Sequence, residues 1–263
     1  MIVSIIVTTY NRPTALTKVL NGLAHQTSAV DEVIVADDGS DEETAIAIKR
    51  IGTAAPYRLL HVWHEDQGFR AAKIRNDAIR RSSGEYIVLL DGDCIPNRHF
   101  VKDHIRLARR GFFFQGKRVL VEKTAAGAFE WQHANSPQTL LKYMLSGSLG
   151  NAHHLLRCSW YPLLNSPGLS GTRSCNMGLF KSDLLAVNGF NEDFVGWGRE
   201  DSELVARLYS YGLRRNVHPF MAICFHLWHA ENSRDELVRN DEMLRKALLS
   251  NDYYAPRGLA KRS

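Results

Sequence analysis

The sequence predicts an α/β fold, in which a mostly parallel sheet carries helices on both faces and is followed by a smaller lobe. Three observations lead to this prediction. Mainly apolar runs alternate with segments of helical spacing up to Pro96. Each of these runs ends in a cluster of polar residues. Beyond Pro96 the alternation fades, so the second part of the chain is expected to fold differently.

The apolar runs of the first part are predicted to form strands. A run without polar alternation is typical of a strand that is buried on both faces, as in parallel sheets. Because parallel strands that are joined by helices end at the same edge of a sheet, the polar clusters behind them are expected to converge there. The predicted strands span residues 2–7, 32–36, 58–63 and 86–90.

The segments between the strands repeat apolar residues at spacings of three and four, which predicts helices. Pro13 suits the first turn of the first helix. One face of that helix carries Leu16, Val19, Leu20 and Leu23. Further helices are predicted over residues 42–51, 71–81, 99–110 and 235–249.

After the first part, the sequence predicts one long β segment over residues 112–121 and irregular surface structure over residues 122–171. The tail from Tyr253 to Ser263 is basic, and we expect it to be disordered or bound to the surface. The chain has 263 residues, which is enough to bury a sizeable core. We interpret it as a single domain in two lobes.

The composition is that of an ordinary globular protein, with 44% hydrophobic and 23% charged residues. The formal charge of +5 favours anionic partners, but the basic residues are scattered, so no nucleic acid partner is predicted. The four cysteines show no C-x-x-C spacing, which argues against a zinc knuckle or a redox pair. No run approaches the ~18 apolar residues that span a bilayer, and the short apolar N-terminus lacks a basic region before it. We therefore expect a cytoplasmic protein whose contact with a membrane would be peripheral.

Two carboxylates separated by one glycine, Asp91 and Asp93, follow the fourth predicted strand. Acids on a tight turn offer oxygen ligands to a hard divalent cation, which would hold the phosphates of a nucleotide. His226 and His229 follow a later strand-like run and could complete, with Asp93, a ligand set that suits Mn²⁺. The alternatives without a function are a solvated Asp-Gly turn and a structural histidine pair.

The polar clusters behind the other strands offer further ligands for a nucleotide. The sequence has neither G-x-G-x-x-G nor G-x-x-x-x-G-K-[ST], so phosphate charge would be met by a metal and by side chains. Asp38 offers a carboxylate to a base or ribose, Tyr10 a ring for stacking, and Arg75 a positive charge for a pyrophosphate. As structure alone, Asp38 would belong to a turn before a capped helix, and Arg75 would be an exposed helix residue.

A second group of candidate residues comes near the C-terminus. Glu200 and Asp201 begin a segment of helical spacing, where the helix dipole favours acids whether or not they catalyse a reaction. Trp197 stands between two glycines just before them and offers a flat face to a sugar ring. A carboxylate beside such a face can act as general base on an acceptor hydroxyl.

These motifs together resemble those of inverting family 2 glycosyltransferases with the Rossmann-like GT-A fold. The motifs of the first part are Thr8-Thr-Tyr-Asn-Arg-Pro13, Asp37-Asp-Gly-Ser40, Gln67-Gly68, Arg75-Asn76 and Asp91-Gly-Asp93. The later part is similar to the galactosyltransferase-type module of chondroitin-polymerase-like and β-1,4-galactosyltransferase enzymes. Its motifs are Asn188-Gly-Phe190, Gly196-Trp-Gly-Arg-Glu-Asp201, His226 and His229. The galactosyltransferase pattern often has glycine where this chain has Arg199.

The resemblance implies a role for each motif. Asp201 would be the catalytic base, with Glu200 beside it as a second catalytic residue. Mn²⁺ or Mg²⁺ would be bound by Asp93, His229 and His226. The donor would be bound by Thr8, Tyr10, Arg12, Asp38, Gln67, Arg75, Asp91 and Gly92. The acceptor would be bound by Asn176, Trp197, Gly198 and Glu200.

The function that follows is metal-dependent, inverting transfer of a hexose or N-acetylhexosamine from a UDP-sugar to a hydroxyl of a glycan or lipid-linked glycan, as in bacterial surface polysaccharide synthesis. Residues 1–96 would form the nucleotide-sugar half, residues 97–232 the acceptor and catalytic half, and residues 233–263 a C-terminal helix and tail. One alternative is a sugar-1-phosphate nucleotidyltransferase, which would need a glycine-rich basic loop after the first strand. The other is a carbohydrate-binding protein that keeps the Trp197 platform without turnover.

Overall fold

The computed structural model describes residues 1–230 and 233–260. The strands of its first part run parallel in the order β3-β2-β1-β4, as the sequence predicts. The elements are β1 (Val3–Thr9), α1 (Pro13–Ala24), β2 (Glu32–Asp37), α2 (Glu42–Gly52), β3 (Arg58–Trp63), α3 (Ala71–Arg81) and β4 (Tyr86–Asp91). The bounds of β3 and α3 coincide with the predicted ones. The predicted α/β class is confirmed.

Two hydrophobic cores cover the two faces of this sheet. In β1, Ile5 belongs to one core and Ile6 to the other, because successive side chains of a strand alternate between its faces. The helix α1 packs on the first core through Leu20, and α3 packs on the second through Ile74. Burial on both faces explains why these strands appear in the sequence as continuous apolar runs.

The second part of the chain extends the large sheet and adds a small one. Its elements are β5 (Cys94–Pro96), α4 (Phe100–Leu107), β6 (Phe112–Gln115), β7 (Lys117–Val121), α5 (Lys123–Ala126), α6 (Pro137–Leu145), β8 (Leu149–Gly150), β9 (Leu164–Asn165), β10 (Asn176–Phe180), α7 (Lys181–Ala186), α8 (Glu200–Ser210), β11 (Arg214–Val217), β12 (Ile223–Leu227) and α9 (Leu237–Ser250). The large sheet continues from β4 through β10, β6 and β11 to β9, and the small sheet has the order β5-β12-β7-β8. The strand β10 is antiparallel to both of its neighbours.

The prediction of one long β segment over residues 112–121 is wrong. The segment divides at Gly116 into β6, which belongs to the large sheet, and β7, which belongs to the small sheet. The Gly116 N–H donates to the carbonyl of Asn176 at 2.9 Å, and a Cβ on Gly116 would lie 2.2 Å from the Asn176 side chain. Only glycine fits where the chain passes from one sheet to the other.

The C-terminal helix α9 forms close to its predicted position. Leu248 is exposed, whereas Asn240 is fully buried. The tail up to residue 260 packs against the domain, with Leu259 buried and its N–H donating to the carbonyl of Asn188 at 2.9 Å. Disorder is therefore the wrong expectation for this part of the tail, and residues 261–263 lie outside the described residues. Within the described part of the chain, no helix is long and apolar enough to cross a membrane.

Candidate active site

Asp93, His226 and His229 lie together because the small sheet pairs the segments that carry them. Asp93 directly precedes β5, and β5 pairs with β12, which contains His226. The N–H of Leu227 donates to the carbonyl of Asp93 at 2.9 Å. The ligand atoms of the three side chains consequently lie within 4.8 Å of one another.

The chemistry of these three residues fits a divalent cation. His229 Nδ1 donates to the carbonyl of Ala230 at 2.7 Å, and its Nε2 lies 3.2 Å from Asp93 Oδ2. His226 Nε2 lies 3.7 Å from Asp93 Oδ1. Burial lowers the pKa of His226 to about 4, so its imidazole is neutral and keeps a lone pair for a metal. One carboxylate and two imidazoles form a ligand set that suits Mn²⁺.

Arg12 also contacts this group, since its Nη1 lies 3.3 Å from Asp93 Oδ2. Burial opposes the ionisation of Asp93, but the hydrogen bond from His229 and the charge of Arg12 lower its pKa overall. Asp93 is therefore held as a carboxylate. The sequence assigns Arg12 to the nucleotide loop, and the structure brings it next to the metal-ligand candidates.

Arg75 is buried between the end of β4 and the start of α8. Its Nη2 lies 3.5 Å from Asp91 Oδ1. Its Nη1 lies 3.3 Å from Glu200 Oε1 and 3.7 Å from Asp201 Oδ1. Its Nε donates to Thr8 Oγ1 at 3.2 Å. Arg75 therefore connects carboxylates that are far apart in sequence. It is buried, so the alternative that it is an exposed helix residue is wrong.

Carboxylates outnumber cations around Arg75, and two of these acids have raised pKa values, chiefly because of burial. Burial raises the pKa of Asp91 to about 7 against the opposing charge of Arg75. Burial, and then the charge of Asp201, raise the pKa of Glu200 to about 7. Acids with such shifts are concentrated at functional sites.

Asp201 has one carboxylate oxygen without a hydrogen bond. Its Oδ2 accepts from the N–H of Ser174 at 2.9 Å. Its Oδ1 accepts no hydrogen bond from any residue that the structure describes. Glu200 is more buried than Asp201, and its Oε1 accepts a hydrogen bond from Arg75 at 3.3 Å. An oxygen with a free lone pair beside a cation suits a general base, so this geometry favours Asp201 over Glu200.

Asp38 is buried and joins two loops at the edge of the sheet. Its Oδ2 accepts from the N–H of Arg70 at 2.8 Å, and its Oδ1 lies 2.7 Å from His64 Nε2. His64, which directly follows the third predicted strand, is not among the residues that the motifs predict for the site. Each carboxylate oxygen of Asp38 has a further lone pair that could accept a hydrogen bond from a nucleotide. Contact between Asp38 and a nucleotide stays a prediction.

The remaining donor-side candidates lie along the same edge. Tyr10 is 45% exposed, and its hydroxyl donates to Asp66 Oδ2 at 2.8 Å. Gln67 is exposed in the same loop. The N–H of Gly92 donates to the Thr8 carbonyl at 2.7 Å, and a Cβ on Gly92 would lie 2.9 Å from that oxygen. Asp66 is a further residue of this edge that the motifs do not predict for the site.

Asn176 does not reach an acceptor, contrary to the prediction. Its side chain lies in β10 and is 1% exposed. Its Nδ2 donates to the carbonyls of Lys117 and Ala222 at 3.0 and 2.7 Å. Its Oδ1 lies 3.0 Å from His104 Nε2. A buried amide with both ends occupied has a structural role, which here is to tie the large sheet to the small one.

Trp197 and Gly198 lie in a loop that α9 holds in place. Trp197 is 39% exposed, so its ring is open to a ligand. Asn240 Nδ2 donates to the carbonyls of Val195 and Gly198 at 3.1 and 3.0 Å. Gly198 has a φ of +104°, and a Cβ there would lie 3.1 Å from Leu237 Cδ1. A side chain at this position would therefore meet α9, and acceptor binding by Gly198 stays a prediction.

Comparison with known families links the two parts of the site. The model described as "Glycosyl transferase family 2" matches residues 4–153, which is more than half of the chain. The model described as "N-terminal domain of galactosyltransferase" matches residues 159–230. The first range contains Asp91 and Asp93, and the second contains Asp201 and His226. These matches confirm the resemblance that the motifs predict.

Named relatives agree with the family matches. The chain is 27% identical over 240 residues to validoxylamine A glucosyltransferase of Streptomyces hygroscopicus subsp. jinggangensis, which covers 82% of this chain and 53% of that protein. It is 27% identical over 237 residues to chondroitin synthase of Escherichia coli, which covers 83% of this chain and 34% of that protein. The chain thus spans about half or less of the length of these curated relatives.

Solved structures share the fold. TarS of S. aureus in complex with UDP-GlcNAc superposes with a TM-score of 0.62 at 18% identity, covering 98% of this chain and 68% of that chain. A mannosyltransferase from Pyrobaculum calidifontis in complex with GDP-Man and Mn²⁺ superposes with a TM-score of 0.56 at 17% identity, covering 95% of this chain and 72% of that chain. The GT-A fold expected from the sequence is confirmed.

Proposed function

We propose that this chain, which belongs to glycosyl transferase family 2 and is a glycosyltransferase, uses a divalent metal to transfer a hexose or N-acetylhexosamine from a UDP-sugar to a hydroxyl of a glycan or lipid-linked glycan, with inversion. The observation that carries this proposal is the position of Arg75. Its buried guanidinium contacts both Asp91, on the proposed donor side, and Asp201, the proposed base. The two carboxylates are therefore within reach of one reacting centre.

The donor would lie along the edge formed by the loops that follow β1 to β4. TarS, which was solved with UDP-GlcNAc, supports a UDP-sugar as the donor class. Ligands in open α/β sheets bind at this carboxyl edge. The proposed donor-binding residues are Thr8, Tyr10, Arg12, Asp38, Gln67, Arg75, Asp91 and Gly92.

A divalent cation, Mn²⁺ or Mg²⁺, would be held by Asp93, His226 and His229. The ligand chemistry of these side chains supports this proposal, as does the mannosyltransferase solved with Mn²⁺. When bound, the cation supplies positive charge to the leaving diphosphate. Arg12, which already contacts Asp93, would add a second positive charge at the same place.

Asp201 would remove the proton from the acceptor hydroxyl. As that oxygen bonds to the anomeric carbon, the bond from this carbon to UDP breaks and its electron pair leaves with UDP. Attack on the face opposite UDP inverts the configuration. The Nη1 of Arg75, 3.7 Å from Asp201 Oδ1, places a positive charge beside this carboxylate.

The acceptor would be bound by the residues around α8. Glu200, with its pKa of about 7, is partly protonated near neutral pH and would donate a hydrogen bond to an acceptor oxygen. Trp197 would support the face of the acceptor sugar, and Gly198 would shape the loop that carries it. Asn176 is left out of this set because its amide is occupied.

The family matches and the named relatives favour glycosyl transfer over the two alternatives. UDP release from UDP-Gal, UDP-GalNAc, UDP-Glc, UDP-GlcNAc and UDP-GlcA in the presence of Mn²⁺ tests the proposal. We expect one donor to release UDP, release to increase with an acceptor, and chelation of the metal to stop it. Absence of release from every donor by a folded protein would support the carbohydrate-binding alternative, and release of pyrophosphate from a nucleoside triphosphate would support the nucleotidyltransferase.

We further propose that the protein works in the cytoplasm, at the inner face of the cell membrane. Support comes from α6, all of whose residues are at least partly exposed. It presents Leu141, Met144 and Leu145 together with Lys142, a combination that suits an anionic membrane surface. We expect Leu145→Glu to reduce sedimentation with vesicles of phosphatidylcholine and phosphatidylglycerol. Equal sedimentation of both proteins would contradict this location.

A further inference from the structure

A cleft of about 370 Å³ lies between the turn that joins β6 to β7 and the segments 151–154 and 171–176. Its lining is rich in basic side chains. They are Lys117, Arg118, His153, His154 and Arg173. None of the described residues that line the cleft is an aspartate or a glutamate.

Two cations of this cleft, Lys117 and Arg173, have no counter-charge among the described residues, whereas Arg118 is attracted to the carboxylate of Asp91. The side chains of Lys117, Arg118 and Arg173 make no hydrogen bond or ion pair with any residue that the structure describes. Arg215, a neighbouring cation, is buried and donates to serine oxygens rather than to a carboxylate. Burial, followed by the charges of Arg215 and Arg173, lowers the pKa of Lys117. Like charges therefore accumulate around Lys117 and Arg173 without a counter-charge from the described residues.

The cleft adjoins the proposed base. Arg173 is followed by Ser174, whose N–H donates to Asp201 Oδ2 at 2.9 Å. Gln115 fixes this segment, because its Nε2 donates to the carbonyls of Arg173 and Asn176 at 3.0 and 2.9 Å. Its Oε1 also accepts from the N–H of Arg173 at 3.1 Å. One rigid segment therefore positions both the wall of the cleft and the base.

The cleft lies on the acceptor side of the site and not at the proposed diphosphate position. Neither Arg12 nor any of the metal-ligand candidates Asp93, His226 and His229 lines it. Ser174, whose N–H contacts Asp201, stands between Arg173 and Cys175, which both line the cleft.

We propose that this cleft binds an anionic group, a phosphate or a carboxylate, on the acceptor glycan. The inference rests on the proposed function and names the acceptor class that the proposed function leaves open. An anion in the cleft would meet Arg118 and also Lys117 and Arg173, which have no counter-ion among the described residues. Hydrogen bonds between charged partners are about twice as strong as neutral ones, so the anion would contribute substantially to acceptor binding.

Acceptor kinetics with a matched set of sugars tests this proposal. The set is methyl glucoside, methyl glucoside 6-phosphate and methyl glucuronide, which differ in the group on one carbon. We expect one of the two anionic sugars to have a KM about tenfold below that of the neutral sugar. The anionic sugar with the lower KM shows whether the cleft binds a phosphate or a carboxylate.

The variant Arg173→Gln should raise the KM for that anionic acceptor about tenfold and leave the KM for the UDP-sugar unchanged. Arg214→Gln is the matched control, because Arg214 is exposed at the start of β11. Gln115, which lines the cleft, pairs with Val217 at the other end of that strand. We expect this control to leave both KM values unchanged. Raised salt should weaken use of the anionic acceptor more than use of the neutral one.

Binding of inorganic phosphate and of glucuronate, followed by NMR, tests the cleft without turnover. The proposal is supported if the NMR chemical-shift changes caused by the anion are lost in Arg173→Gln and retained in Arg214→Gln. This result would support it even if no donor releases UDP. If a donor does release UDP but all three acceptors have equal KM values and neither anion binds through Arg173, the proposal is overturned and the proposed function stands. An Arg173→Gln effect on the KM for the UDP-sugar also overturns it, because the anion would then belong to the donor.

Discussion

Two clusters of charged side chains form the site, and their charge ratios are opposite. In the Asp93 cluster, a single carboxylate contacts Arg12, His226 and His229. The basic partners lower the pKa of Asp93, so this carboxylate stays ionised and can hold a cation.

In the Arg75 cluster, a single guanidinium contacts the three carboxylates Asp91, Glu200 and Asp201. Burial and the excess of negative charge raise the pKa values of Asp91 and Glu200 to about 7. The ratio of acids to bases therefore distinguishes the two clusters. The Asp93 cluster is suited to binding charge, and the Arg75 cluster is suited to exchanging protons.

Removal of Arg75 should have the largest effect on this arrangement. Arg75→Gln leaves the buried Glu200 and the half-buried Asp91 and Asp201 without a counter-charge, so we expect the free energy of unfolding near pH 8 to fall by about 3–5 kcal/mol and transfer to stop. Denaturant unfolding measures the first effect and UDP release the second. Arg12→Gln is the matched variant in the Asp93 cluster. Its side chain is 34% exposed, so we expect a loss below about 1 kcal/mol, and equal losses for both variants would contradict the contrast.

Removal of the acid in the Asp93 cluster should affect donor binding. Asp93→Asn takes the charged oxygen from the proposed metal ligands, and we expect Mn²⁺-dependent UDP affinity to fall about 10–100-fold. Calorimetry with and without Mn²⁺ measures this change. Glu200→Gln, in the Arg75 cluster, should leave the Mn²⁺ dependence of UDP binding as it is. If Asp93→Asn bound UDP in Mn²⁺ with wild-type affinity, donor binding would not depend on the Asp93 cluster, which would contradict the proposed roles of the two clusters.

The pH dependence of stability should report the Arg75 cluster through Glu200, which faces Arg75 and Asp201. Its pKa is raised from 4.5 to about 7 in the folded protein. The folded state therefore keeps a proton that the unfolded state has lost, so this stabilisation is complete below pH 4.5 and is lost as the pH rises through 7. Between about pH 5 and pH 8, the free energy of unfolding should fall by about 1–3 kcal/mol more in the wild type than in Glu200→Gln.

Urea unfolding across this pH range measures the difference. Glu43→Gln is a suitable control, because Glu43 is exposed in the first turn of α2 and should leave the wild-type slope unchanged. Parallel slopes for the wild type and Glu200→Gln would remove the argument that the Arg75 cluster retains a proton.

The first part of the fold can be predicted from sequence because its signals are local. The strand Arg58–Trp63 and the helix Ala71–Arg81 follow from the periodicity of their own residues and form with the predicted bounds. Carboxyl ends of parallel strands meet at one edge, so the convergence of Asp38 and Asp91 also follows.

The second part depends on contacts between distant residues. Gly116 divides a β segment because it meets Asn176, and neither residue alone reveals this contact. Asn176 stands near the polar motifs of the sequence, yet its amide is used to join two sheets. Motifs select Arg75 and Asp201 individually, but only the fold shows that they are 3.7 Å apart.

The most direct test of the division between the clusters is the variant Asp201→Asn. Its amide cannot take a proton from the acceptor, so we expect kcat for transfer to fall about 10²–10⁴-fold. UDP affinity in Mn²⁺, measured by calorimetry on the same protein, should equal that of the wild type, because the Asp93 cluster is untouched. Unchanged turnover, or a loss of UDP affinity as large as the loss of transfer, would contradict the assignment of proton transfer to Asp201.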